Sequence, residues 1–142
     1  MFLMQLNLIE KNGTKQIMLE PIATYIIKIA SRCNLDCDYC YEYNMGDDSW
    51  RKEPSVISED TLNIAVSRIN EHAKANALKN INISLHGGEP LLVGYKRFEK
   101  IISIIKSKLS DYNVDMGIQT NAVLINDSFL ELFLKEKISV GI

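Results

Sequence analysis

The order of apolar and polar residues along the chain changes period several times, and each change predicts a new element. Runs rich in isoleucine and valine, or strictly alternating with polar residues, are typical of β-strands. Such runs occur at residues 22–30, 80–86, 114–119 and 138–142. Between them, apolar residues recur at every third or fourth position, which is typical of amphipathic helices.

Three helices are predicted from this spacing. Ser58 is a good N-cap, and Glu59 and Asp60 place negative charge in the first turn, where it favours the helix dipole. Asp127 is predicted to cap the third helix. The apolar positions of the three helices are Leu62, Ala65, Val66, Ile69 and Ala73; Phe98, Ile101, Ile102, Ile105 and Leu109; and Phe129, Leu130, Phe133 and Leu134.

Strands that alternate with helices over short connections predict an α/β fold with a parallel sheet. The stretch 1–20 reads instead as a small β-hairpin that turns at Asn12-Gly13, since this pair tolerates a tight turn. We therefore expect an N-terminal hairpin at 1–20 and a core domain at 21–142. The sequence stops inside the last predicted strand, so we expect this core to be incomplete, as in a fragment or a truncated gene product.

Composition narrows the classes of function. The 142 residues are 46% hydrophobic and 24% charged, as in ordinary globular protein, and the net charge is −2. No excess of positive charge is available to attract nucleic acid or anionic lipid, so neither is an expected partner. The chain also lacks a signal-peptide pattern and an apolar run long enough to cross a membrane. We expect a cytoplasmic protein.

All three cysteines fall within eight residues, directly after the first strand of the core. The segment 31–42 reads SRCNLDCDYCYE, with the spacing CxxxCxxC. An odd number of clustered thiols argues against a disulfide framework and suits a metal site. Three thiolate ligands to a four-iron cluster would leave one iron open for a small molecule.

Two other interpretations of the cysteines stay open. A zinc site would need a fourth ligand, and His72 and His86, the histidines of the chain, are predicted on a helix and on a different strand. Three buried, chemically idle thiols are the other alternative. The charged segment 47–51 is interpreted as a solvent-facing turn.

Polar and glycine-rich segments follow the next two strands. His86-Gly87-Gly88-Glu89-Pro90 follows one, and Gln119-Thr120-Asn121 follows the other. Parallel sheets bind ligands at the carboxyl ends of their strands, glycines let a backbone approach a ligand, and a carboxylate accepts from an ammonium group. Simple turn chemistry is the alternative for both segments.

The cysteine spacing, with an aromatic residue before the last cysteine, resembles the signature of the radical S-adenosylmethionine (radical SAM) superfamily. The resemblance implies a partial (β/α)6 barrel in which Cys33, Cys37 and Cys40 bind a 4Fe-4S cluster whose open iron chelates S-adenosylmethionine. It further implies that Tyr39 lies against the adenine and that the GGEP element, residues 87–90, holds the methionine amino group. Gln119 and Asn121 would line the cofactor pocket, with Ala122 where the family often has glycine. We assign cofactor binding to Tyr39, Gly87, Gly88, Glu89, Pro90, Gln119 and Asn121.

Within this superfamily, residues 39–92 look like the cyclophane-forming radical SAM/SPASM peptide maturases, the FxsB-like group. Anaerobic sulfatase-maturing enzymes share much of the pattern and are the second candidate. Either resemblance implies reductive cleavage of the cofactor to a 5′-deoxyadenosyl radical, which then takes a hydrogen atom from the substrate. The implied partners are a ribosomally made precursor peptide or protein substrate and a reducing electron donor. No catalytic base is assigned, and a non-catalytic cluster-binding remnant is a further alternative.

Overall fold

The structure, a computed structural model, describes residues 6–11 and 14–142. The first two strands, β1 (Leu6–Lys11) and β2 (Thr14–Leu19), pair antiparallel, with Lys11 opposite Thr14. This pairing is the predicted hairpin, although its turn residues Asn12 and Gly13 lie outside the described residues. The division of the chain at residue 20 stays a prediction.

A parallel sheet forms the main body of the described chain. Its strands follow one another in space as they do in sequence, β3-β4-β5-β6. A helix connects each strand of this sheet to the next. The strands are β3 (Thr24–Ala30), β4 (Asn80–Gly87), β5 (Asn113–Gln119) and β6 (Ser139–Gly141), and the helices are α1 (Glu59–Ala75), α2 (Tyr95–Lys108) and α3 (Asp127–Glu136).

The two faces of this sheet differ in chemistry. The apolar face packs against the helices and forms the core, whose largest members include Ile29, Leu85 and Phe98, each fully buried. The other face carries Ile26, which is 70% exposed, and polar side chains that stay exposed or half-buried, namely Lys28, Asn82, Ser84, His86 and Gln119. A parallel sheet with helices on one face and an open second face has the layering of part of an α/β barrel wall.

The helix starts follow the predicted caps in one case and differ in another. Ser58 caps α1, because its hydroxyl accepts a hydrogen bond from Thr61 N at 3.0 Å. For α3 the prediction of Asp127 was wrong. Asn126 has the extended backbone of an N-cap and accepts from Phe129 N at 3.1 Å, whereas Asp127 is the first helical residue. Its charge still lies in the first turn, where it favours the dipole.

Within the described residues, each helix is either too short or too polar to cross a bilayer.

Candidate functional site

The GGEP element packs directly against the start of the cysteine loop. Gly88 N donates to Ala30 O at 3.1 Å, and Glu89 N donates to Arg32 O at 2.8 Å. Gly87 has φ +148°, and a Cβ there would lie 2.1 Å from Ala30 O. The glycine is therefore required because two backbones meet, with no need to invoke a ligand.

Gly88 makes an equally close contact with a tyrosine from the far side of the cysteine loop. A Cβ at Gly88 would lie 1.8 Å from Tyr43 Oη and 2.4 Å from Arg32 O. No side chain fits in that space. The consequence is that the end of β4 holds the cysteine loop at two separate points.

The cysteine loop itself is a series of turns. Cys40 N donates to Cys37 O at 2.9 Å, and Asn44 N donates to Cys40 O at 2.9 Å. Cys33, Cys37 and Cys40 are half-buried and free, with no disulfide between them. The Cys33 sulfur accepts from the backbone N–H of Leu35 at 3.4 Å. Free, partly accessible thiols near backbone donors suit metal-binding thiolates.

The described residues contain no group of three or more His, Cys, Asp and Glu side chains close enough to hold a single metal ion. A four-iron cluster binds each thiolate through a different iron, so its ligands need not crowd around one point. The assignment of the three cysteines as ligands of an iron–sulfur cluster therefore rests on their spacing and their place in the fold. It stays a prediction.

Arg32, just before the first cysteine, holds the connection that follows the loop. Its guanidinium donates to Trp50 O at 2.6 Å, and to Arg51 O and Glu53 O, each at 3.2 Å. It also stacks over the Trp50 ring, 5.1 Å from the centroid. Segment 47–51 therefore differs from the expected solvent-facing turn, because Trp50 is half-buried and packs on Tyr43. Local sequence carries no signal for the contacts of Arg32 with Trp50, Arg51 and Glu53, since their acceptors are backbone carbonyls.

Glu89 connects the end of β4 to the end of β5. Its side chain is completely buried. One carboxylate oxygen accepts from Leu91 N and from Thr120 Oγ1, both at 2.8 Å, and the other accepts from Asn121 N at 2.8 Å. Both oxygens of the Glu89 carboxylate therefore accept hydrogen bonds from donors within the chain. The role toward the methionine amino group that the resemblance implies stays a prediction.

Asn121 extends this network to the cysteines. Its side-chain amide donates to Asn34 Oδ1 at 2.8 Å and to Cys33 Sγ at 3.7 Å. The predicted cluster loop, the GGEP element and the segment after β5 are therefore joined by one chain of hydrogen bonds. Sequence analysis placed these segments at neighbouring strand ends but did not predict their direct contacts.

The other predicted cofactor residues differ in position. Tyr39 is 82% exposed on the cysteine loop, and a hydrogen bond with Cys37 is the largest cause that raises the pKa of its hydroxyl. Pro90 is buried and begins the 3-10 turn Pro90–Val93. Gln119 points toward β6, where it lies against Gly141. No described contact brings Gln119 or Pro90 to the cysteine loop.

A cavity of about 380 Å³ opens beside the loop and is lined by Cys33, Tyr43 and Trp50 among others. The hydroxyl of Tyr43 and the indole N–H of Trp50 are buried and have no hydrogen-bond partner among the described residues. Burial is the main cause that raises the pKa of Tyr43 to about 12. The free thiol of Cys33 on the cavity wall fits an iron–sulfur cluster, whereas the two unpaired donors are covered by protein and do not face the open space.

The histidines lie apart from each other. His86 is half-buried on the polar face of β4, in register with Lys28, whose ammonium pairs with Glu42 just after the cysteines. His72 lies on α1, with its ring 6.3 Å from that of Tyr25. The two histidines therefore do not form a joint site.

Comparisons with known proteins agree with this geometry. Residues 27–142 match the Radical SAM superfamily. An uncharacterised protein of Methanocaldococcus jannaschii is 34% identical over 88% of this chain, and a cysteine-type anaerobic sulfatase-maturating enzyme of Clostridium perfringens is 27% identical over 87%. The chain spans 39% and 33% of their lengths, respectively.

Among solved structures, native anSMEcpe with bound AdoMet and Cp18Cys peptide superposes with a TM-score of 0.67 and 26% identity over 84% of this chain and 30% of that chain. The parallel sheet described above is therefore the N-terminal part of a radical SAM barrel. The chain belongs to the radical SAM superfamily.

Proposed function

We propose that this chain forms the cluster-binding part of a radical SAM enzyme that modifies a peptide or protein side chain. The observation that carries the proposal is the hydrogen-bonded connection between three strand ends, from Cys33 through Asn121 to Glu89. Cofactor sites of parallel α/β folds lie at this end of the sheet.

In this proposal, Cys33, Cys37 and Cys40 hold a 4Fe-4S cluster. When bound, the cluster and S-adenosylmethionine supply the electron transfer that yields methionine and a 5′-deoxyadenosyl radical. The protein binds and orients the cofactor and the substrate, and it excludes water from the site. Arg32 and Glu89 keep the loops in place through their hydrogen bonds to backbone groups.

In this proposal, the cofactor's other parts lie against residues on and beside the cysteine loop. The Tyr39 ring is exposed and would cover the adenine. The backbone of Gly87, Gly88 and Pro90 would approach the methionine end, and Glu89 would fix that backbone from behind. Asn121 is close enough to the cluster loop to line the pocket, while Gln119 would contribute from the β6 side.

The substrate class follows from the resemblance and from the relatives. Curated relatives include cysteine-type and serine-type anaerobic sulfatase-maturating enzymes, and a similar solved structure holds a peptide together with AdoMet. These support a peptide or protein substrate for the present chain. Of the two reactions, carbon cross-linking of a ribosomal precursor peptide rests on the resemblance of residues 39–92, whereas sulfatase maturation is favoured by the relatives.

Electrons must come from a separate reducing protein or small reductant. The chain spans 39% or less of the curated relatives named above, so we propose that turnover requires further segments. The polar face of the sheet, with Lys28, Ser84 and His86, is the surface on which substrate and cofactor would lie.

The first test is anaerobic reconstitution of the chain with iron and sulfide, followed by electron paramagnetic resonance of the reduced protein. We expect a 4Fe-4S signal that changes when S-adenosylmethionine is added. A Cys37→Ala variant should lose the signal, and the neighbouring Asp38→Ala variant should keep it. A wild-type chain that binds zinc in place of iron and sulfide would contradict the proposal.

The second test separates the reactions. Release of 5′-deoxyadenosine by the protein completed with these further segments, measured by liquid chromatography, would show turnover. A cluster without this product in the completed protein would indicate a non-catalytic remnant. Substrate peptides are then compared by mass spectrometry. Cross-linking removes a pair of hydrogen atoms and blocks fragmentation between the joined residues, whereas sulfatase-type maturation requires a cysteine or serine in the peptide. If no tested peptide is cross-linked and no peptide that contains a cysteine or serine is modified, this result would argue against a peptide substrate.

A further inference from the structure

The side chain of Asn121 reaches across the site to a predicted cluster ligand. Its amide nitrogen lies 3.7 Å from Cys33 Sγ and 2.8 Å from Asn34 Oδ1. A carboxamide carries two N–H donors, so one can serve each acceptor. Leu35 N, at 3.4 Å, is the other donor to the same sulfur. Cys33 is thus the cysteine whose sulfur receives both a backbone and a side-chain N–H.

The orientation of this amide is set by the surrounding contacts. Its oxygen accepts from Val123 N at 3.0 Å, which turns the NH₂ group toward the cysteine. The backbone N–H of the same residue is held by the buried Glu89 carboxylate at 2.8 Å. Because both the backbone N–H and the side-chain oxygen of Asn121 are held by hydrogen bonds, its NH₂ group needs little reorganisation to donate to a thiolate.

We propose that Asn121 is a positioning residue that raises the reduction potential of the iron–sulfur cluster through its N–H···S hydrogen bond to Cys33. This proposal rests on the proposed function, since it requires the cluster. Reduction adds negative charge to the cluster and its thiolates, and a hydrogen bond stabilises the more negative state more strongly. Hydrogen bonds to the sulfurs are an established means by which proteins tune such clusters.

The test is a potentiometric titration of the reconstituted protein, followed by electron paramagnetic resonance. Asn121→Leu keeps the bulk of the side chain and removes its donors, so the midpoint potential should become more negative. Asn44→Leu is the matched control, because Asn44 donates to Asp36 Oδ1 at 3.2 Å and to Cys37 O at 2.8 Å. It removes hydrogen bonds from the same loop without removing one to sulfur, so the potential should stay unchanged.

A second measurement uses the cluster-free chain and does not depend on the folding of the Asn121 variant. In a ¹⁵N-labelled sample, Cys33→Ala should shift the side-chain amide resonances of Asn121, while Cys40→Ala should leave them in place. Equal midpoint potentials for wild type and Asn121→Leu would overturn this proposal, and so would Asn121 amide resonances that do not shift in Cys33→Ala. The cluster signal would still support the proposed function in either case. A wild-type chain that assembles no cluster would overturn both.

Discussion

The Glu89 carboxylate accepts a hydrogen bond from the Thr120 hydroxyl at 2.8 Å, across the ends of two neighbouring parallel strands. Within the described residues, these two are the polar side chains that are fully or almost fully buried, at 0% and 5% exposure. Burial of polar groups is costly unless hydrogen bonds replace water. Here both carboxylate oxygens have partners, so the contact ties together two elements that sequence analysis assigned to cofactor binding.

Replacement of Glu89 by glutamine should destabilise the protein although the two side chains have nearly the same shape. The glutamine NH₂ group must face either Asn121 N or the donors Leu91 N and Thr120 Oγ1, so at least one buried donor loses its acceptor. Bonds to a charged acceptor contribute about 1.5 to 3 kcal/mol, and we expect a loss of about 2 kcal/mol in the free energy of unfolding.

Urea denaturation followed by circular dichroism measures this loss. Glu99→Gln, on the exposed side of α2, makes the same change of charge and should alter stability by no more than about 0.5 kcal/mol. Equal stability of the Glu89→Gln variant and wild type would mean that the Glu89 carboxylate does not hold the two strand ends together.

Replacement of Gly88 by alanine should disrupt the junction between β4 and the cysteine loop. The added Cβ would meet Tyr43 Oη at 1.8 Å and Arg32 O at 2.4 Å, and the backbone carbonyl cannot move aside freely. Overpacking of this kind costs about 1 to 3 kcal/mol, and we expect a value near the upper end, together with loss of iron binding on reconstitution.

The matched control is Gly117→Ala on β5, where a Cβ would meet Ser139 at the ordinary contact distance of 3.5 Å. This variant should be at least about as stable as wild type. The added Cβ makes an ordinary contact, and alanine loses less backbone entropy in a strand than glycine does. Adding Tyr43→Phe to Gly88→Ala should restore only part of the stability, since the contact with Arg32 O persists. Full recovery in the double variant would show that the hydroxyl alone causes the effect.

The elements of the fold could be predicted because their signals are local. Alternation at 80–86 gave a strand within one residue of β4, and the apolar stripe after Ser58 gave α1. The start of α3 was placed one residue late because Asn126 and Asp127 are both good caps, and only backbone geometry distinguishes them.

The contacts of the candidate site depend on residues far apart in sequence. Asn121 and Cys33 are separated by 88 residues, and Thr120 and Glu89 by 31. No periodicity encodes which buried donors a carboxylate will find. For this reason the GGEP element could be located at a strand end, while the burial of Glu89 and the backbone contacts of Gly87 could not be predicted.

Replacement of Ala122 by glycine should stabilise the protein. Ala122 has φ +63°, in the left-handed region, where a side chain costs about 1 to 2 kcal/mol relative to glycine. Part of this gain is offset because glycine makes the unfolded chain more flexible, so we expect a net increase of about 0.5 to 1 kcal/mol in the free energy of unfolding. Thermal unfolding at a fixed heating rate provides the measurement.

Ala65→Gly, in the middle of α1, is the control for the general effect of glycine. It should destabilise by about 1 kcal/mol, because helical backbone is accessible to alanine without strain. If both variants lose stability to the same extent, the left-handed backbone at Ala122 contributes no strain.

A salt bridge between α2 and α3 should make stability depend on pH in the acid range. Lys106 Nζ lies 2.5 Å from Glu136 Oε2 and 3.2 Å from the Glu136 carbonyl. The hydrogen bond from Lys106 is the largest cause that lowers the pKa of the Glu136 carboxyl below its usual value of 4.5. Because the pKa of Glu136 is lowered in the folded state, the contribution of this ion pair to stability is fully present above pH 4.5. It is lost as the pH falls through the folded-state pKa.

Glu136→Gln should therefore be less stable than wild type near neutral pH by about 0.5 to 1 kcal/mol, a modest value because the Lys106 side chain is 42% exposed. The difference should vanish at a pH well below 4.5, where wild type carries a neutral carboxyl as well. Urea denaturation across this range tests the prediction, and the double variant with Lys106→Met isolates the coupling. A difference that persists unchanged in acid would assign it to packing rather than to the ion pair.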